Sequence, residues 1–139
     1  MEKPAADWYR VSSRVLEKGR SATDFPQEQV VFDTSTEKPH DVPGPAELLL
    51  TSLAACTLKN LERYSHILPF EYSEASIVVE GERQDAPPKF LRFRYVLRIK
   101  TSESDHKIEL LKKNIERYGT IYNTLALAAP IESQVERIS

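Results

Sequence analysis

The longest apolar stretch of the chain lies between residues 43 and 68, where leucine and alanine cover most of a helical surface. Pro45 suits the first position of a helix and Pro69 forbids its continuation, so the pattern predicts one helix over residues 45–68. Its first half is apolar nearly all round, which is typical of a helix enclosed by other structure. Only the second half, from Lys59 onward, has a clear polar side.

Alternating residues before this helix predict an antiparallel meander of three strands. The first strand spans residues 8–16, and Gly19 marks the turn that follows it. Two shorter strands are expected at residues 21–25 and 29–33. Residues 34–44 contain prolines and glycine without an apolar period, which indicates a surface loop.

A second pair of strands follows the helix, at residues 74–83 and 89–101, and two prolines between them are expected to interrupt the ladder. In the later strand the apolar residues alternate with basic ones and predict a core face: Leu91, Phe93, Tyr95, Leu97 and Ile99. The basic residues could suggest an RNA-binding sheet. Glu80 and Glu82 on the preceding strand, and the lack of interleaved exposed aromatics, favour a charge-paired surface instead.

The C-terminal third predicts a second amphipathic helix, capped by Ser102 or Ser104 and ended by Gly119 in a left-handed conformation. A short helix over residues 122–129 and a strand over 131–138 complete the chain. The order of strands, helix, strands, helices and strand predicts the α+β class, with helices packed on antiparallel sheet.

Length and charge limit the function classes. The 139 residues are expected to form one domain, 1–139, and a formal charge of -2 gives no positive field for nucleic acid. One cysteine cannot form an internal disulfide, which favours a reducing setting, and no signal peptide or membrane span is evident. We therefore expect a soluble cytoplasmic protein.

Three histidines, His40, His66 and His106, are far apart and form no ligand pattern with the cysteine, so no metal site is predicted. The scattered glycines form no phosphate-binding loop, and no cofactor is expected.

Cys56, in the middle of the long helix, is the main candidate for chemistry. Packing is one interpretation, since free cysteine behaves as a small hydrophobe. The other is a reactive thiol, because Ser52, Lys59 and Asn60 lie within about a turn and a lysine can favour the thiolate. Glu47 lies nine residues earlier, a helical rise of roughly 13 Å, and could simply complement the helix start.

The segment from Gly44 to Leu50, followed by Ala54-Ala55-Cys56-Thr57, resembles the first active-site segment of the OsmC/Ohr family of osmotically inducible and organic-hydroperoxide-resistance proteins. Residues 116–118, 122–125 and 129–132 resemble the family's second active-site segment. The resemblance implies an α+β intertwined homodimer in which antiparallel sheets wrap central helices and active sites lie near the subunit interface.

The resemblance also implies a thiol peroxidase acting on a small organic hydroperoxide. By this match Cys56 is the peroxidatic cysteine and Glu47 orients the family's arginine. Arg20 is the first choice for that arginine and Arg14 the second.

One departure affects the mechanism: Gly119 stands where the family carries its resolving cysteine. An oxidised Cys56 would then have no internal partner. Three outcomes remain open: a one-cysteine peroxidase reset by an external thiol, a redox sensor, or a non-catalytic dimer that binds a small apolar ligand.

Overall fold

The structure, a computed structural model, describes residues 7–37 and 41–138. The chain packs as two compact units, Met1–Leu48 and Leu49–Ser139. The expectation of a single domain over residues 1–139 stays a prediction.

The first unit contains the expected antiparallel meander, in the order β1 (Ser13–Glu17), β2 (Arg20–Asp24) and β3 (Gln29–Asp33). Gly19 has φ +85° in the β1–β2 turn, a left-handed conformation that favours glycine. The predicted start of the first strand at residue 8 was wrong. Because β2 ends at Asp24, where its N–H donates to the Ser12 carbonyl oxygen at 3.0 Å before the turn at Pro26, it offers residues 8–11 no continuing ladder.

Residues 34–37 and 41–44 form no regular structure, as predicted for the loop, and its residues 38–40, which include His40, lie outside the described residues. Helix α1 (Pro45–Ile67) then begins at the predicted proline and ends one residue before the predicted end. Glu47 in its first turn and His66 in its last complement the helix dipole.

The second unit contains most of α1 and the elements β4 (Glu74–Asp85), β5 (Pro88–Lys100), α2 (Asp105–Tyr118), α3 (Thr120–Ala126) and β6 (Ile131–Ile138). Its sheet has the order β4-β5-β6. Strands β4 and β5 are antiparallel, whereas β6 pairs parallel to β5, so this sheet is mixed. The predicted α+β class is confirmed.

The β4–β5 hairpin is tighter than predicted, because Asp85 still pairs with Pro88. A proline is tolerated as the first residue of a strand, where its missing N–H breaks no ladder bond. A bulge nearby changes the predicted core face. Arg83 pairs with Phe90 and Glu82 with Arg92, which leaves Leu91 as the extra residue, 40% exposed rather than buried.

The core of the second unit lies between the sheet and the helices α1 and α2. Strand β5 contributes Phe93, Tyr95, Leu97 and Ile99; α2 contributes Ile108, Leu111 and Ile115; α1 contributes Leu53, Leu61 and Tyr64. The other face of the sheet carries the predicted charge pairs, with Arg94 Nε 2.8 Å from Glu80 and Arg92 Nε 3.2 Å from Glu82.

Ser104 caps α2, where its hydroxyl accepts a hydrogen bond from the Lys107 N–H. The prediction of a left-handed Gly119 was wrong, since its φ is −76°. Gly119 joins α2 directly to α3, which begins two residues earlier than predicted. Of the helices in the described residues, none is both long enough and apolar enough to span a bilayer.

Candidate active site

Cys56 lies at the edge of the buried face of α1, half-buried between core and surface. The buried residues of this helix follow a helical stripe: Leu53, Thr57, Asn60, Leu61 and Tyr64. Because Cys56 lies beside that stripe rather than on it, its sulfur is neither sealed in the core nor fully exposed. This placement is compatible with a thiol that a small reactant reaches.

Asn60, one turn along α1, contacts the thiol. Its Nδ2 donates to the carbonyl oxygen of Cys56 at 2.9 Å and lies 3.6 Å from the sulfur. Arg63 Nη2 donates to Asn60 Oδ1 at 3.1 Å, which turns the amide donor toward the sulfur. An N–H donor of this amide therefore faces the sulfur, and the nearby guanidinium polarises that donor further.

The sequence pointed to Lys59 as the cation near the sulfur. Lys59 is exposed, and among residues 49–138 the contact to the sulfur comes from Asn60. Ser52, also expected near the thiol, donates to the carbonyl oxygen of Leu49 at 2.6 Å. The polar neighbour of Cys56 is therefore neutral and buried, and the positive charge acts through it.

Gly119 lies close to this group. A Cβ at position 119 would be 3.4 Å from Asn60 Nδ2, the atom that contacts the sulfur. The same Cβ would lie 2.9 Å from the carbonyl oxygen of Ile115 and 3.1 Å from Tyr122 Cβ. Glycine is therefore favoured here by the close approach of neighbouring atoms and not by an unusual φ. Gly119, which stands where the family carries its second cysteine, thus lies next to the Cys56 site.

Tyr95 contributes a buried hydroxyl on the core side of the site. The residue is 1% exposed, and its hydroxyl has no hydrogen-bond partner among the described residues. Burial raises the pKa of Tyr95, and interactions with the ionisable groups of Tyr122, Glu116 and Cys56 raise it further. The neighbouring Ser133 hydroxyl, which lowers this pKa, donates instead to Glu116 Oε1 at 2.5 Å.

An unpaired buried hydroxyl costs free energy. The alternation along β5 predicts Tyr95 in the core, which is confirmed, but it does not indicate that the hydroxyl lies beside the site. Ser133 is 38 residues away and reaches Tyr95 only through the parallel β5–β6 register. No local pattern in the sequence signals that pairing.

The two other predicted site residues lie in the first unit. Glu47 Oε1 accepts a hydrogen bond from the Gly44 N–H at 2.9 Å at the start of α1. Arg20 donates from Nη2 to Asp41 Oδ1 at 2.8 Å, and Arg14 pairs with Asp24 at 2.8 Å. The expected orientation of Arg20 by Glu47 stays a prediction.

Arg63 and Arg117 both contact the ring of Tyr118, and Arg63 also contacts Asn60, the neighbour of the thiol. Each guanidinium carbon lies 5.3 Å from the ring centroid of Tyr118, which is 51% exposed. The sequence resemblance included residues 116–118, but it did not indicate that an arginine of α1 would meet them.

Two hollows, of about 470 and 410 Å³, lie on the charged outer face of the β4-β5-β6 sheet. Their linings include Glu80, Arg94 and Glu132, and neither lining includes Cys56. Among the described residues, no group of three or more His, Cys, Asp or Glu side chains could hold a metal ion.

Comparisons with known proteins agree with the fold. A family model described as OsmC-like protein matches residues 38–134. An OsmC-like protein from Mycoplasma pneumoniae has a similar structure, with a TM-score of 0.86 at 18% identity, over 97% of this chain and all of the other. No curated protein sequence matches significantly.

Two further structures are similar to this one. An organic hydroperoxide resistance protein OsmC from Legionella pneumophila has a TM-score of 0.70 at 12% identity, covering 94% of this chain and 99% of its own. An organic hydroperoxide resistance protein from Elizabethkingia anophelis has a TM-score of 0.75 at 10% identity, covering 96% and 100%. At these identities the likeness shows a shared fold.

Proposed function

This chain belongs to the OsmC-like protein family, and from that premise we propose that it reduces organic hydroperoxides with Cys56 as its single reactive thiol. The observation that carries the proposal is the half-buried sulfur held beside the Asn60 amide, which Arg63 polarises in turn. The similar Legionella and Elizabethkingia proteins are named as organic hydroperoxide resistance proteins, which supports the substrate class.

In the proposed first step, the thiolate of Cys56 attacks the terminal oxygen of the hydroperoxide. The O–O bond breaks, the sulfur is oxidised to a sulfenic acid, and the alkoxide takes a proton from solvent and leaves as an alcohol. Asn60 stabilises the thiolate before attack. Since Gly119 supplies no second sulfur, an external thiol reduces the sulfenic acid and closes the cycle. Dependence on such a thiol suits the cytoplasm, where thiols are kept reduced.

We further propose that Glu47 orients Arg20 toward the peroxide, and that the protein acts as a homodimer. Arg20→Gln is then expected to slow peroxide consumption, whereas Arg14→Gln is expected to leave it unchanged. Each of these arginines pairs with a carboxylate of the first unit, Arg14 with Asp24 and Arg20 with Asp41, which makes them matched variants. If Arg14→Gln proves the slower enzyme, the assignment of Arg20 is wrong.

Peroxide turnover tests the proposal. Purified protein with cumene hydroperoxide and excess dithiothreitol is expected to consume peroxide at a rate proportional to enzyme, and Cys56→Ser is expected to reduce that rate to background. The competing hypothesis is a non-catalytic dimer that binds a small apolar ligand. It predicts no turnover in either protein and ligand binding that Cys56→Ala leaves intact.

A further inference from the structure

Arg63 and Arg117 differ from the other arginines of the second unit in their partners. Five arginines of residues 49–138 pair with carboxylates: Arg83, Arg92, Arg94, Arg98 and Arg137. Among those same residues, Arg63 and Arg117 have no carboxylate partner and share the ring of Tyr118 instead. The positive charges of Arg63 and Arg117 are therefore not neutralised by a carboxylate of the described residues 49–138, unlike those of the other five arginines.

The carboxylates next to them in sequence are directed elsewhere. Glu62 accepts from the Tyr72 hydroxyl at 3.2 Å and lies 3.2 Å from His66 Nε2. Glu116 accepts from Ser133 at 2.5 Å. Because both guanidiniums lie 5.3 Å from one ring centroid, they are no more than twice that distance apart and repel each other. An anion that binds both would relieve this repulsion.

This positive site is adjacent to the thiol. Arg63 is separated from the sulfur by the Asn60 amide alone, through contacts of 3.1 and 3.6 Å. Arg117 lies two residues before Gly119, whose missing side chain leaves the position next to Asn60 without a sulfur of its own. The positive charge and the vacant second-cysteine position therefore meet at one end of α2.

We propose that Arg63 and Arg117 bind the carboxylate of a small acidic thiol and hold its sulfur at Cys56. This inference rests on the proposed function, in which an external thiol must reset the enzyme. Guanidinium groups bind carboxylates through paired N–H donors, which fix orientation as well as supply charge. The stacked ring of Tyr118 holds both groups in place.

The chemistry balances with two molecules of the thiol. The first attacks the sulfenic sulfur of Cys56, forms a mixed disulfide, and releases the sulfenic oxygen as water. The second attacks the mixed disulfide, which releases the oxidised dimer of the small thiol and returns Cys56 to its reduced form. The peroxide is the oxidant and the acidic thiol is the reductant.

Alkylation tests the charge effect without any peroxide. Iodoacetate and iodoacetamide react with the same sulfur and differ in their carboxylate, so the ratio of their rates cancels changes in the thiol itself. We expect Arg63→Gln/Arg117→Gln to lower the iodoacetate-to-iodoacetamide ratio at Cys56 roughly tenfold, as loss of local steering predicts. The single variant Arg117→Gln, which leaves the Asn60 contact intact, is expected to lower it by a smaller factor.

Two controls accompany this measurement. Arg63→Lys/Arg117→Lys keeps both charges and is expected to retain most of the ratio, whereas Arg83→Gln removes a carboxylate-paired arginine and is expected to leave it unchanged. Equal ratios in all the variants, or a native thiol that neither reagent reaches, would overturn the proposal. A lowered ratio in a protein that peroxide never oxidises would support the acid site and refute the proposed function.

A second measurement shows whether the carboxylate that the two arginines bind belongs to the reducing thiol or to the hydroperoxide. Cys56 is converted to its mixed disulfide with 2-mercaptoethanol and reduced by 3-mercaptopropionate or by 2-mercaptoethanol. We expect the double glutamine variant to slow the acidic thiol selectively. If the variant instead slows oxidation only by carboxylate-bearing hydroperoxides, and leaves both thiols unaffected, the assignment to the reductant is wrong.

Discussion

Asn60 is the residue whose removal most directly tests the environment of the thiol. In Asn60→Ala the sulfur loses its only described amide donor, and we expect the rate of Cys56 alkylation by iodoacetamide at pH 7 to fall roughly threefold to tenfold, the effect of one hydrogen bond. Lys59→Ala, one position away and exposed, is the matched control and is expected to react as the wild type does. A slower Lys59→Ala, with Asn60→Ala unchanged, would reverse the assignment.

Tyr95 offers a test of the buried hydroxyl. Since it has no hydrogen-bond partner among the described residues, Tyr95→Phe is expected to leave the free energy of unfolding unchanged at pH 7 or to raise it by about 1 kcal/mol. Urea titration measures this. A loss of more than 1 kcal/mol would mean that the hydroxyl does have a partner in solution.

The same variant tests the raised pKa of Tyr95. Burial favours the neutral phenol, so as pH rises beyond about 10 the unfolded chain loses its proton before the folded chain does. The contribution of Tyr95 to the free energy of unfolding is therefore fully present below pH 10. Above pH 10 this contribution is lost, and the free energy of unfolding falls. We expect Tyr95→Phe to reduce that fall between about pH 10 and 12. Some of the fall is expected to remain, because burial also raises the pKa of Tyr64, Tyr72 and Tyr122.

At this scale the sequence identified Cys56 because it is the only thiol and lies in a segment with a family resemblance. It also placed Asn60 one turn away, but it favoured Lys59, since periodicity gives the face of a side chain and not its rotamer. Tyr95 and Arg63 could not be assigned from sequence. Their site contacts join strands and helices that are distant in the chain.

Among the elements, the β4–β5 hairpin requires a glycine at position 81, next to the bulge, because the Phe90 ring leaves no room for a side chain there. A Cβ there would lie 2.7 Å from the Phe90 ring and 3.2 Å from Leu50. We expect Gly81→Ala to lower the free energy of unfolding by about 1–3 kcal/mol, the cost of overpacking. The loss should be at least about 0.5 kcal/mol smaller in a Phe90→Ala background, where the contact is absent.

A double-mutant cycle in urea measures that coupling. Ser76→Ala, exposed on the same strand, is the control and is expected to change stability by no more than about 0.5 kcal/mol. Additive effects of Gly81→Ala and Phe90→Ala would show that the ring does not impose the glycine.

Element positions followed well from local signals where these were strong. Pro45 fixed the start of α1, and strict alternation placed β5. The errors arose from strand pairing. Strand β1 is shorter than the alternating segment that predicted it, because β2 ends at Asp24. Leu91 lies outside the core because a bulge shifts the β4–β5 register. Alternation along one strand contains no information about its neighbour.

For the whole molecule, the described apolar surface of the first unit supports the proposed homodimer. Trp8 is 98% exposed, Tyr9 91% and Val15 70%. Large apolar side chains exposed to this degree are typical of an interface. We expect a mass in solution of about twice the 15.9 kDa of the chain by light scattering.

Charge placed on this surface should separate the subunits. Trp8→Glu/Val15→Glu is expected to weaken the dimer by more than about tenfold, since buried aromatic anchors dominate such interfaces. Val78→Glu, 58% exposed on the outer face of the other sheet, is the control and is expected to remain dimeric. A monomeric wild type at micromolar concentration, or dissociation caused by Val78→Glu alone, would contradict this interface.

The proposed function depends on oxidation of the Cys56 sulfur by peroxide. The most direct measurement is the intact mass of the protein after one equivalent of cumene hydroperoxide in the presence of dimedone, which traps sulfenic acids. We expect one dimedone adduct per chain, located on Cys56 by peptide mapping and absent from Cys56→Ser. An unmodified wild-type protein whose Cys56 still reacts with iodoacetamide would contradict it.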